Sequence, residues 1–178
     1  MPESAAVDLK SYIRSIPGFP MEGVLFRDVM PLFQDPLALR TAVDRIAEFA
    51  RGKDVDVVLG AEARGFILGA AVAYVIGAGF VCARKPGKLP GKTVEIEYEL
   101  EYGTDKLVVH EDAITPGTRV LVHDDLLATG GTAAAKCRLV ENLGGKVVGV
   151  AFLVELREEF PHARERLAGY DVLSLITY

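Results

Sequence analysis

An apolar strand, a pair of carboxylates and a glycine turn opening a helix follow one another between Val120 and Thr132, in the order Val120-Leu121-Val122-His123-Asp124-Asp125-Leu126-Leu127-Ala128-Thr129-Gly130-Gly131-Thr132. This string constrains the fold more than any other part of the chain. Arg119 to Val122 is a short β-branched and leucine run suited to a buried parallel strand, and Thr132 to Leu143 carries Ala133, Cys137, Val140 and Leu143 at helical spacing. The acids therefore fall at the carboxyl end of a strand, where open α/β sheets bind ligands. Gly130 and Gly131 permit the positive-φ or close-approach backbone that turns successive N–H groups inward, and Thr129 and Thr132 add hydroxyls. The free amides and positive dipole end of the next helix favour an anion there. The order describes a sugar-phosphate cradle.

A nucleoside-triphosphate loop needs a lysine after its last glycine, and here Gly131 is followed by Thr132 and Ala133. A dinucleotide fingerprint needs three spaced glycines after a strand, whereas Gly77 and Gly79 precede one and lack a third partner. The cradle suits a monophosphate, with Asp124 and Asp125 accepting from ribose hydroxyls rather than holding a triphosphate's metal. An isolated Asp-Asp or Gly-Gly would read as an ordinary helix start; the complete string does not.

With 178 residues, half of them apolar and a quarter charged, the chain is expected to form one domain over residues 1–178. The net charge of −5 argues against nucleic-acid and anionic-membrane partners, which require a basic face. No basic-then-apolar leader opens the sequence, and the glycine-containing run from Phe66 to Val81 falls short of a membrane span, so a cytoplasmic location is expected. Cys82 and Cys137 form no metal or redox spacing and read as small core residues, and His110, His123 and His162 lie far apart.

Asp8 to Ile16 predicts a short helix, and Ser15 to Asp28 a loop punctuated by Pro17, Gly18, Pro20 and Gly23. Asp35 and Pro36 make an N-cap and first-turn pair for a helix through Ala50, with Leu39, Val43, Ile46 and Ala50 on one face. Strand Val55–Leu59, helix Arg64–Ile76 and strand Phe80–Ala83 give a parallel pair. Lys85 to Lys92 reads as an exposed, flexible loop, and Val94, Ile96 and Tyr98 alternate with glutamates as a half-exposed strand that Lys106–His110 could join as a flap. After the glycine turn and its helix, which Gly144 and Gly145 close, come a central strand Val147–Val154, a short helix Pro161–Leu167 and a last strand Val172–Tyr178. The expected fold is α/β, a doubly wound, mainly parallel five-stranded sheet with a small hood from residues 1–34 and a flexible loop and flap over residues 84–110.

The string Val120–Thr132 resembles the phosphoribosyl-pyrophosphate (PRPP) signature of the type I phosphoribosyltransferases. Phe19-Pro20, Gly23 to Asp28, Arg84 to Gly91 and Tyr98 to Gly103 resemble, in sequence and order, the branch of that family that acts on adenine. The resemblance spans nearly the whole chain. It implies transfer of the 5-phosphoribosyl group from PRPP to adenine, giving AMP and pyrophosphate in purine salvage. It also implies Mg²⁺ held mainly by the substrate rather than by protein ligands, and a homodimer.

Residue by residue, the resemblance puts Asp124 and Asp125 on the ribose and Ala128, Thr129, Gly130, Gly131 and Thr132 on the 5′-phosphate. It puts Glu62, Ala63, Arg64, Arg84, Lys85 and Lys88 at the pyrophosphate, with a cis peptide between Glu62 and Ala63. Cations are needed there because negative charge grows on the leaving oxygens as the C1′ bond breaks. From position alone Arg64 is as readily an ordinary helix-start residue, although the helix dipole does not favour it. Lys85, Lys88 and Lys92 alone would be a solvated loop. Glu101 is implied as the acceptor of the base proton, a role that composition would not distinguish from its neighbouring glutamates, and Tyr102 as a cover over the ribose. Arg64 and Lys88 join Glu101 as catalytic groups. Leu25, Phe26, Arg27 and Leu126 are implied to form the adenine site, Phe26 stacking on the purine, though without the resemblance it reads equally as a core residue. His123 departs from the family's usual apolar residue. Two other readings are a phosphoribosyltransferase for another base, against which Gly23 to Asp28 argues, and a PRPP-sensing regulator, against which the absence of a basic helix argues.

Overall fold

The computed structural model describes residues 7–99 and 103–178. A short helix α1 (Met30–Gln34) precedes two helices that carry strong local signals and form where they are expected. In α2 (Pro36–Ala50) the Asp35 side chain accepts from the amides of Leu37 at 2.9 Å and Ala38 at 2.8 Å, capping two donors the helix cannot satisfy itself. Its buried face is Ala38, Ala42, Val43, Ile46 and Ala50, with Leu39 half-buried beside it. In α3 (Arg64–Ile76) small residues set the packing distance. A Cβ on Gly60 would lie 2.8 Å from the Gly65 carbonyl oxygen, and one on Gly69 would lie 2.8 Å from the Phe80 ring, so this helix sits closer to the sheet than any alanine would permit.

The main sheet comprises β3 (Val57–Ala61), β4 (Gly79–Ala83), β7 (Arg119–Leu127), β8 (Lys146–Glu155) and β9 (Val172–Thr177), all parallel, in the order β4-β3-β7-β8-β9. The middle strand is β7, and β8 is also central, as expected of Val147–Val154, with a strand on either side. From β3 the chain crosses through α3 to β4 on one side; from β7 it crosses through α4 (Gly131–Asn142) to β8 on the other. Strand order therefore reverses between β3 and β7, and the crevice beyond their carboxyl ends is where such sheets bind ligands.

Period-two alternation divides two cores. Val120, Val122, Val150 and Phe152 pack toward α4, while Leu121, Ala151 and Leu153 pack toward α2 and α3. The hairpin of β5 (Thr93–Glu99) and β6 (Thr104–His110) lies on the α4 side, with Tyr98, Leu107 and Val109 buried in that core and Val94 and Ile96 half-buried against it. No helix of the described residues is long and apolar enough to cross a membrane.

The amino-terminal expectations need correction. Of the helix expected over Asp8–Ile16 only Leu9–Tyr12 is helical, as one 3-10 turn, and the segment read as a loop holds β1 (Arg14–Pro17) paired antiparallel with β2 (Leu25–Asp28). Prolines and glycines mark the turn between these strands, but neither strand has enough alternation to announce itself. Opposed residues tie the two strands side by side: Arg14 pairs with Asp28 at 2.5 Å, and the Arg27 side chain donates to Ser15 Oγ at 2.7 Å. Likewise Pro161–Leu167 contributes only a 3-10 turn, Ala163–Leu167.

Candidate active site

The acidic pair lies within the last four residues of β7 rather than beyond it, and adjacent strand positions send the two carboxylates to different partners. Asp124 meets Lys136 of α4, whose Nζ donates to Oδ2 at 2.7 Å; Asp125 accepts from Arg64 Nε at the start of α3. Burial and the neighbouring Asp124 charge push the Asp125 carboxyl up, and the Arg64 guanidinium opposes them.

After β7 the backbone turns at Gly130, whose φ of +83° is left-handed. A Cβ there would also stand 2.6 Å from the Ala163 carbonyl oxygen, so this position excludes side chains twice over. The first intrahelical bond of α4 runs from the Ala134 amide to the Gly130 carbonyl at 3.0 Å, and the amides of Thr132 and Ala133 precede it at the positive end of the helix.

These elements enclose a cavity of about 300 Å³. Ala61, Glu62 and Arg64 line it from the end of β3, Asp124 to Gly130, Thr132 and Ala133 from the end of β7, and Lys85, Tyr98 and Leu107 from above. A second, more apolar cavity of about 130 Å³ adjoins it, lined by Val24, Leu25, Phe26, Arg27, Val29 and Leu156. Arg64, Asp125 and Leu126 line both. A polar chamber floored by a helix amino terminus thus meets an apolar slot, the combination needed for a phosphorylated sugar joined to a flat heterocycle.

Most of the expected residues converge here, though not all. Ala63, Arg84, Lys88 and Gly131 lie outside the cavity lining, and Glu101 and Tyr102 lie outside the described residues. Three expected cations already have carboxylate partners: Arg64 with Asp125, Arg84 with Glu62, and Lys85 with Asp105 at 2.9 Å. Arg84 also donates to the Lys88 carbonyl at 3.0 Å. The Glu62–Ala63 peptide is cis. Phe26 meets Phe19 edge-to-face with centroids 5.1 Å apart, and the Arg64 guanidinium carbon lies 5.7 Å from the Phe26 ring.

Sequence reasoning missed Tyr98 as a lining residue and Lys136 altogether. Lys136 is fully buried among Ala133, Ala135, Cys137 and Leu139. A lysine inside an otherwise apolar helical stripe was the available signal. His123 is also fully buried; its Nδ1 bonds the Ala151 carbonyl at 2.9 Å, Nε2 has no partner, and burial holds its pKa down at about 4. The buried Cys137 thiol is pushed up to about 12.

Residues 34–172 match the phosphoribosyl transferase domain family, and the chain belongs to that family. Its relatives narrow the branch. It is 58% identical over 171 residues to the adenine phosphoribosyltransferase of Rubrobacter xylanophilus, covering 96% of this chain and 91% of that one. The adenine phosphoribosyltransferase structure from Thermoanaerobacter pseudethanolicus superposes with a TM-score of 0.91 at 48% identity, over 96% of this chain and 98% of the other. That from Saccharomyces cerevisiae, complexed with an imino-altritol bisphosphate and adenine, gives a TM-score of 0.86 at 37% identity, over 94% and 96%.

Proposed function

We propose that the polar cavity receives PRPP and the apolar slot receives adenine, so that the two react across Arg64, Asp125 and Leu126. The reaction is transfer of the 5-phosphoribosyl group from PRPP to adenine, giving AMP and pyrophosphate. The single observation that carries the reading is the sharing of these three residues by two chemically unlike cavities at the point where strand order reverses.

The 5′-phosphate sits on Ala128 to Thr132, where left-handed Gly130 and the first amides of α4 supply preorganised donors. Asp124 and Asp125 take the ribose hydroxyls. Glu62, Arg64 and Lys85 face the pyrophosphate, with Ala63, Arg84 and Lys88 behind them. Arg64 suits this task because its side chain, 43% exposed where the two cavities meet, can turn from an internal carboxylate to an incoming phosphate oxygen. Glu101 accepts the base proton and Tyr102 covers the ribose.

Adenine lies between Phe26 and Leu126. Because among the described residues β2 has only β1 as a partner strand, one row of its backbone groups is uncommitted to the hairpin, which supports recognition of the purine edge by main chain at Leu25 and Arg27. A carbonyl there accepts from the exocyclic amine and an N–H donates to N1. Hypoxanthine reverses both groups, leaving buried polar atoms unpaired at about 1–3 kcal/mol each.

The donor set fits Mg²⁺ bound through substrate. Both site aspartates are engaged by protein cations, and among the described residues no three His, Cys, Asp or Glu side chains gather into a metal cluster. Mg²⁺ retains several waters and takes its remaining ligands from phosphate oxygens; when bound with PRPP it neutralises charge on the leaving group. Catalysis takes place in the cytoplasm, in keeping with two free cysteines.

The enzyme works as a homodimer. The outer face of α3 supports this, since Ile67, Tyr74 and Val75 are exposed along one apolar helix.

Steady-state kcat/KM for adenine, hypoxanthine and guanine with PRPP and Mg²⁺ tests the reading. Adenine is expected to win by about a thousandfold. Comparable values for an oxo-purine would refute the slot assignment, and absence of pyrophosphate release would refute both.

A further inference from the structure

We propose that Lys136 is a positioning residue for ribose binding: it grips the Asp124 carboxylate from inside the protein and turns its remaining lone pairs into the cavity. This rests on the assignment of Asp124 to the ribose hydroxyls.

Lysine is almost never fully buried unless paired, and Lys136 has no exposed surface. Its Nζ donates to Asp124 Oδ2 at 2.7 Å and to the His123 carbonyl at 3.0 Å. The neighbouring positions of α4 are alanine, cysteine and leucine, so an apolar side chain would complete this core without desolvating an ammonium. Among the described residues, the one carboxylate that Lys136 reaches is Asp124, which lines the cavity.

Asp124 is restrained from its other sides too. Oδ1 accepts from the Asp125 amide at 3.0 Å, and the Gly65 backbone lies so close that a Cβ there would be 2.9 Å from this oxygen. A carboxylate has about four acceptor sites. The protein uses one on each oxygen, and the cavity is the open side.

The contrast with Asp125 gives the arrangement its meaning. Arg64, the partner of Asp125, is 43% exposed and lines both cavities, so it is free to turn toward an incoming anion. Lys136 has nowhere else to go. One acid is thus held in a fixed orientation, while the other has an exchangeable partner. Among the described residues, the charged and titratable groups around Asp124 are Asp125, Arg64, Lys136 and His123, with Glu62, Lys85 and Tyr98 across the cavity.

The test compares Lys136→Met, Asp124→Asn and the double variant with the wild type, varying PRPP and adenine separately across pH. Lys136→Met is expected to raise KM for PRPP about tenfold and leave KM for adenine within about twofold, because the lysine touches no part of the slot. It should also move the acid limb of kcat/KM for PRPP upward by about one pH unit, since two neighbouring carboxylates have lost an internal cation. The double variant is expected to match Asp124→Asn, and it leaves no lone buried charge should the single variant fold poorly.

An unchanged PRPP KM with an unmoved acid limb overturns the proposal. So does an equal loss for both substrates without a pH shift, or a double variant distinctly worse than Asp124→Asn. If Asp124→Asn itself leaves PRPP kinetics unchanged, the ribose assignment has failed. The hold of Lys136 on Asp124 is then decided by carbon-13 titration of the two carboxylates in the substrate-free protein: a shift to higher pH in Lys136→Met sustains it, and none overturns it.

Discussion

The guanidinium of Arg27 lies over the ring of Tyr178, with Cζ 3.7 Å from the ring centroid. Lys10 Nζ lies 4.1 Å from the same ring, and Lys10 also donates to the Thr177 carbonyl at 2.8 Å. The end of β9 is thereby bound to the hairpin that carries Leu25, Phe26 and Arg27. A contact made by the far end of the chain thus sets where one wall of the apolar slot stands.

Replacing Tyr178 by Ala is expected to raise KM for adenine three- to tenfold, matching the roughly 1 kcal/mol of a cation–π contact. KM for PRPP should stay within about twofold. Tyr178→Phe keeps the aromatic face and should behave as wild type; an adenine KM that rises equally in both variants would assign the effect to the hydroxyl instead.

Gly130 offers a test of the phosphate turn. Its φ of +83° costs an alanine about 1–2 kcal/mol, and the 2.6 Å approach to the Ala163 carbonyl adds a clash. Gly169 is also left-handed, at +94°, but has open space around it. Gly130→Ala should therefore lose more thermal stability than Gly169→Ala, and only Gly130→Ala should weaken PRPP use, as differential scanning and steady-state kinetics would show.

His123 makes stability depend on pH. Burial lowers its pKa from an ordinary 6.5 to about 4. Between these values the unfolded chain binds the proton and the folded protein does not, so stability falls as pH drops from 6.5 toward 4. The loss attributable to this ring is about 2 kcal/mol between pH 7 and pH 5. His123→Leu should flatten urea-unfolding stability across that interval; an equally steep variant would show that another group is responsible.

Glu155 acts in a lower window. Burial of its side chain disfavours ionisation, but hydrogen bonds from Arg164, Arg157 and Ser174 outweigh it and hold the carboxyl at about 2, below its usual 4.5. The stabilisation is complete above pH 4.5 and disappears as pH falls toward 2. With both guanidiniums partly in solvent, about 1–2 kcal/mol is expected. Glu155→Gln should destabilise the protein at pH 7 and converge with wild type near pH 2 in acid-unfolding measurements.

The sequence by itself determined the elements whose signals are local. Asp35 and Pro36 open a helix because a cap and a fixed φ act on the next few residues alone. Arg64–Ile76 and the alternation of Val94, Ile96 and Tyr98 announce themselves because a period in hydrophobicity is a property of one segment. The Val120–Thr132 string carried the anion turn for the same reason: glycines and the helix start that they open are contiguous. It could not carry the pairing of β1 with β2, since strands this short are stabilised by what they touch, Arg14 by Asp28 and Arg27 by Tyr178. Nor could it divide the two acids between Lys136 and Arg64, because the Arg64–Asp125 pair joins residues 61 apart in the chain. Which carboxylate is gripped from within and which faces an exchangeable cation was decided only when α3 and α4 packed on opposite faces of β7, for charge pairing depends on distance and burial in space rather than on order in the chain.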